Sequence, residues 1–269
     1  MKVEGVDMDL FDQVVLVKEF RSYVSMSGLS GYQIRKLFKL TVEDLVELLK
    51  LKDDGAEIDL LHVQHLFRLY QKFPKLIPYL PTYEEDALDH DSLVMQIPAT
   101  RPVRGGDVTK WRTIHQLTVD QARSYYRMSP NSYATMTGKA ALAAVLNPTI
   151  ALLTRAWSQN PLLVPHERDW TFEELCKIIP DTARNCGIAL GKQQSSATRW
   201  GHDVSMTPVA KVCANVMVQM TIDRSYDHWL EFVNQEALSR GVENVFAKGH
   251  WNKEQIKDDH QNQVKKLNR

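Results

Sequence analysis

Two short stretches carry side chains suited to reading a base edge. Asn131, Ser132 and Thr135 lie within residues 129–137, and Gln194, Ser195, Thr198 and Arg199 within residues 193–200. Asn and Gln pair bidentately with adenine, Arg with guanine, and Ser or Thr with either. Arg101, Arg104, Arg112, Arg123, Arg127, Lys139 and Lys192 complete the set. These are cations of the kind that neutralise backbone phosphates. The chemistry on offer is recognition of a polyanion.

Bond-making patterns are poorer. His62-x-x-His65 puts two imidazoles at i,i+3, but no cysteine or acidic cluster follows at structural-zinc spacing. A half-buried or surface pair is expected. Asp89-His90-Asp91 has the residue order of a metal-phosphohydrolase fragment, but it sits in an acidic, loop-like run. Cys176, Cys186 and Cys213 lie at or beside apolar helix positions, as buried thiols do. There is no phosphate-cradling glycine loop, nucleophile elbow or dinucleotide fingerprint. No catalytic residue, metal or cofactor is therefore expected.

The chain has 269 residues, 43% hydrophobic and 25% charged, which excludes wholesale disorder and fibrous repeats. Three cysteines cannot form a disulfide framework, so reduced thiols and a cytoplasmic setting are expected. Met1 to Leu10 is mixed and acidic, unlike a signal peptide. The longest apolar stretch, Ala140 to Leu153, is broken by Asn147-Pro148 and is too short to span a bilayer, so no membrane partner is expected.

Lysine plus arginine (33) balances aspartate plus glutamate (33), but the distribution is uneven. Residues 1–95 hold 11 basic against 17 acidic side chains. Residues 96–166 hold 8 basic ones against only Asp107 and Asp120. Polyanion contact is expected in the middle of the chain, and a different role for the N-terminal third.

These side chains need elements to position them, and the sequence reads as almost all helix. Apolar residues recur at helical spacing over Leu10–Val24, Ile34–Leu40, Leu45–Leu51, Leu60–Phe73, Ile150–Trp157, Phe172–Ile179 and Trp229–Leu238. Thr171 to Glu174 is a capping box, Thr41 to Asp44 is similar, and Ser129-Pro130 starts a helix. Ser92–Ile97 is the best strand candidate. The prolines and glycines of residues 98–111 read as an extended basic linker. The expected organisation is an N-terminal helical repeat (1–82), an acidic then basic linker (83–108), second and third units (109–166 and 167–249), and a polar C-terminal tail or helix (250–269).

An internal repeat organises the helices. At an offset of 88, Leu29, Gln33, Arg35, Phe38 and Thr41 meet Leu117, Gln121, Arg123, Tyr126 and Ser129. At 87, Arg68, Tyr70, Pro74 and Pro78 meet Arg155, Trp157, Pro161 and Pro165. A looser third copy has short helices over 183–190 and 195–200, a turn at Gly191-Lys-Gln-Gln and a closing helix from Pro208. Each unit has a helix-turn-helix layout, in which the first short helix braces the second. Tyr133, Met136, Ala197 and Trp200 are the expected core contacts.

Leu190-Gly-Lys-Gln-Gln-Ser-Ser-Ala-Thr-Arg-Trp200 with Asp203 to Pro208 resembles the lambda-repressor-like (XRE, Cro/C1-type) helix-turn-helix family. Leu117 to Ala122 with Met128 to Tyr133, and Gly28 to Ile34 with Leu40 to Leu45, resemble the same pattern over about 25 to 45 residues each. Gly201 replaces the family's Glu after Trp200, and Met136 stands at its Trp position.

The resemblance implies an all-α chain of tandem helix-turn-helix repeats, two or three short-helix units joined by the basic linker. It implies a sequence-specific double-stranded DNA-binding transcription regulator, of the kind found on bacterial mobile elements. Asn131, Ser132, Thr135, Gln194, Ser195, Thr198 and Arg199 would read bases. Arg101, Arg104, Arg112, Arg123, Arg127, Lys139 and Lys192 would contact backbone. Glu43, Asp44 and Glu47 stand on the first unit's equivalent helix, where DNA would repel them. That repeat is left to pair with a second copy or a partner protein. The alternative is a helical adaptor that has lost DNA.

Overall fold

A computed structural model describes residues 14–51, 55–163, 169–200 and 204–252. Within them the chain is all α, with two isolated bridges and no strand. Ser92–Ile97 holds part of a 3-10 turn, Asp91–Leu93, followed by irregular chain. Its alternating pattern is met instead by burial of Met95 and Ile97.

The chain forms two compact units, Met1–Leu88 with Ile222–Arg224, and Asp89–Thr221 with Ser225–Arg269. The first unit contains α1 (Val17–Ser27), α2 (Gly31–Phe38), α3 (Val42–Val46), α4 (Leu61–Lys72) and α5 (Tyr83–Leu88). Its core is aromatic: Phe20 meets Phe38 edge-on at 5.1 Å, and Ile34, Leu45 and Phe67 are buried with them. The Arg35 guanidinium pairs with Asp223, Nη1 to Oδ2 2.6 Å.

The second unit contains α6 (Gly105–Ile114), α7 (Val119–Tyr125), α8 (Pro130–Thr137), α9 (Pro148–Gln159), α10 (Phe172–Ile178), α11 (Ala183–Ala189), α12 (Gln194–Trp200), α13 (Pro208–Asp223), α14 (Tyr226–Ser239) and α15 (Val245–Lys248). The last residues of α13 fall in the first unit. Trp111 stacks on Trp157 at 5.5 Å, and Tyr126 meets Trp157 edge-on at 5.0 Å.

The main chain repeats itself. Val17 N donates to Ala56 O, and 88 residues on Gly105 N donates to Ala144 O. Ile58 N to Val15 O recurs as Leu146 N to Val103 O. The bridge Leu16–Glu57 recurs as Arg104–Val145. The Glu19 carboxylate accepts from the Leu16 amide as that of Asp107 does from Arg104. The offset then drops by one: α4 and α9, both 12 residues long, start at Leu61 and Pro148. The extra residue lies between Ile58 and Leu61, where Asp59 and Leu60 stand against the single Asn147.

A shorter pattern recurs three times. Ser30, Thr118 and Thr182 cap α2, α7 and α11, each accepting from the amide three residues on. Nine residues after each cap comes a left-handed residue: Lys39 (φ 54°), Arg127 (φ 48°) and Gly191 (φ 76°). The next amide then reaches back five residues, Leu40 to Arg35 O, Met128 to Arg123 O and Lys192 to Gly187 O. Those bonds satisfy carbonyls that a helix end leaves open.

Residues 83–108, expected as a linker, are folded. Arg155 on α9 is fully buried, and its guanidinium donates to the carbonyls of Ile97, Pro98 and Arg101. Val103 is buried beside them, and α6 begins inside the segment at Gly105. Proline and glycine here fix turns instead of granting freedom. The expected helix over Leu10–Val24 falls partly outside the described residues, and the described chain becomes helical at Val17. The C-terminal tail from residue 253 also lies outside them.

Candidate nucleic-acid interface

Ser129 caps α8 by accepting the Ser132 amide, and Pro130 takes the first helical position. Tyr133 and Met136 then turn inward and are buried. The 3.6-residue period leaves Asn131, Ser132, Ala134 and Thr135 exposed. The outward face is thus uncharged and rich in hydrogen-bonding groups.

In α12 the same register buries Ala197 and half-buries Trp200. Gln194, Ser195, Thr198 and Arg199 are exposed. A Cβ on Gly187 of α11 would lie 2.8 Å from the Ala197 Cβ, so two small residues let these helices approach closely. Phe172 packs on Trp200 with ring centroids 5.4 Å apart.

The equivalent helix of the first unit differs. Val42, Leu45, Val46 and Leu48 are buried, and Glu43, Asp44 and Glu47 are half-buried. Asp44 is used at the helix start, accepting from the Thr41 amide. Arg21 of α1 donates to Leu48 O at 2.7 Å and covers this end. The helix widens to π geometry over Glu47–Leu51. No open polar face of the α8 kind forms among these residues.

The cations divide by what holds them. Arg101 forms a bidentate pair with Asp107, both contacts 2.7 Å. Arg112 and Arg123 are half-buried and donate to Leu117 O and Met128 O, bracing their own turns. Arg127 pairs with Asp169, which also accepts from Lys211 Nζ at 2.7 Å. Those two cations hold the Asp169 carboxyl below the usual carboxylate range, Lys211 contributing most. Arg104 and Lys139 are exposed and reach solvent. Lys192 is half-buried, and burial pulls its ammonium below the ordinary lysine range.

Lys211 carries no signal of this role in the sequence. It and Arg127 each lie 42 residues from Asp169, on opposite sides, so no local spacing signals the cluster. Among the described residues no group of histidine, cysteine and acidic side chains could hold a metal ion. No described helix is long and apolar enough to cross a membrane. Compared with known protein families, curated proteins and solved structures, the chain finds no match.

Proposed function

We propose that this chain is a sequence-specific double-stranded DNA-binding regulator built from tandem lambda-repressor-like helix-turn-helix repeats. One observation carries the reading. Two short helices, α8 and α12, follow the same capped, left-handed turn and present uncharged polar faces plus Arg199 to solvent. A braced helix with its N-terminal residues open is the geometry that enters a major groove. Asn131, Gln194 and Arg199 are the base-reading side chains, assisted by Ser132, Thr135, Ser195 and Thr198.

The backbone contacts of this reading are Arg104 and Lys139, with Arg127 and Lys192 beside the two turns. Arg101, Arg112 and Arg123 act mainly by holding the elements in place, since each is engaged by a carboxylate or a turn carbonyl. The first repeat does not face DNA. Its α3 is acidic and covered, which leaves the unit for a protein contact.

The test is binding of labelled duplex at increasing salt. A duplex binder loses affinity linearly on a log–log plot, with a slope near −0.9 per phosphate neutralised. Selection from a random duplex pool should then return a preferred sequence. No shift at low salt, together with capture of a defined protein, would establish the adaptor reading instead.

A further inference from the structure

The turn that carries Lys192 is pressed against the start of α9. Gly191 has φ +76°, and a Cβ there would lie 2.3 Å from the Thr149 amide nitrogen. Only glycine fits such an approach. Thr149 Oγ1 donates to Leu190 O at 2.8 Å and fixes the turn over the helix end. Beside it opens a cavity of about 780 Å³, lined in part by Asn147, Lys192, Arg199, Arg240 and Trp251. That volume is in the range of small-molecule sites.

The lining carries three cations and no carboxylate. Arg240 is answered from outside the lining by Glu236, Nη2 to Oε1 2.6 Å. Lys192 and Arg199 pair with no carboxylate among the described residues. Lys192 is half-buried and has lost part of its hydration without gaining a counter-ion, a cost that a bound anion offsets, while Arg199 is exposed at the same rim. Trp251 is 5% exposed, and its indole Nε1 has no hydrogen-bond partner among the described residues. An indole nitrogen only donates. Asn147 caps α9, a 12-residue helix whose positive dipole end lies at the same place. The unmet groups are therefore all donors or cations.

We propose that this cavity binds the phosphate group of a small phosphorylated ligand, with Lys192 and Arg199 as its counter-ions. The space exceeds that of a bare phosphate and has room for an organic body beside it. Arg199 also belongs to the outward face of α12, and in that respect the inference extends the DNA reading: occupancy would draw Arg199 toward the cavity. Phosphate binding itself does not require duplex binding.

Isothermal titration of the full chain with pyrophosphate, AMP and adenosine tests the proposal. Pyrophosphate and AMP should bind saturably, and adenosine should not. Lys192→Gln and Arg199→Gln should each weaken binding about tenfold, the usual effect of losing one charged hydrogen bond. Glu173→Gln, outside this cavity, should leave it unchanged. Absence of saturable binding by both phosphate probes, or binding indifferent to Lys192→Gln, overturns the inference. So does a Lys192→Gln loss of duplex affinity that neither small probe competes with, which would assign the phosphate to the DNA backbone. Pyrophosphate binding by a chain that ignores duplex would sink the DNA reading and leave this one standing.

Discussion

Arg155 and Glu236 meet with Nε and Oε2 2.8 Å apart, and neither side chain is exposed at all. Arg240 donates to the other carboxylate oxygen, so one buried anion is held between two guanidiniums. Arg155 also clamps the chain entering α6 through three carbonyls. Removing Arg155 leaves the buried Glu236 carboxylate to Arg240 alone and takes the donor from three carbonyls, a loss comparable to breaking a buried pair at about 3–5 kcal/mol. Arg155→Met should lower stability by that amount in urea denaturation. A loss under about 1 kcal/mol would mean that the clamp contributes little.

Base reading and backbone contact predict different signatures. Asn131→Ala and Arg199→Ala should each relax base preference at one position and cost about 1–3 kcal/mol on the preferred duplex. Lys139→Ala should weaken all duplexes alike and lower the salt slope by about one. Competition between preferred and random duplex separates the two. Uniform losses for all three variants would reduce α8 and α12 to backbone contacts.

Asp169 offers a gain-of-affinity test. Its carboxylate occupies both Arg127 and Lys211, and it is held ionised to low pH by Lys211 first and then Arg127. Asp169→Asn keeps the shape and removes the charge. Duplex affinity at low salt should rise, and the salt dependence should steepen. An unchanged slope would place both cations away from the phosphates.

Acid should loosen the chain before α6. Burial raises the Asp107 carboxyl, but the Arg101 guanidinium and the Arg104 amide more than offset this and hold it below the ordinary value. A lowered folded pKa contributes stability that is complete above the unfolded value, near about 4. That contribution is lost as pH falls from there through the folded value. Asp107→Asn should flatten this part of the stability–pH curve, as measured by chemical denaturation at several pH values. A curve parallel to that of the parent chain would rule the pair out as its source.

Two glycines make a paired test of backbone against packing. Gly28 and Gly191 both have positive φ, but a Cβ at Gly28 meets nothing within 4 Å. Gly28→Ala should cost only the left-handed penalty, roughly 1–2 kcal/mol. Gly191→Ala should cost clearly more, because the new carbon strikes the Thr149 backbone. Thermal melts that rank the two the other way would refute the close approach.

Much of the helical order is legible in local chemistry. Thr171 accepts the Glu174 amide while the Glu174 carboxylate accepts that of Thr171, as the capping pattern implies. Tyr133, Met136 and Ala197 are buried where the 3.6 period puts them. The short helices around Gly191 also match their expected spans within a residue or so. Long-range pairing is what the sequence hides. Arg101 and Arg155 are both arginines in a basic stretch, yet one is tied to Asp107 and the other is buried against Glu236, 81 residues away. Charge counting treats both as solvent-facing. Nor does the sequence reveal that residues 97–101 are held, since the side chain that holds them is the distant Arg155.

The single-residue slip between the two four-helix runs has a consequence for how this architecture tolerates changes of length. Backbone bonds on the entry side keep one spacing through Ile58 and Leu146, and the helices beyond keep another. The surplus falls on Asp59 and Leu60. Leu60 gives α4 no side-chain cap, whereas Asn147 Oδ1 receives the Thr149 amide at 3.0 Å. Deleting Leu60 would bring Asp59, a good capping residue, directly ahead of α4. The join can therefore shorten and gain a helix cap in the same event, while the hydrogen-bonded frame on either side stays in step.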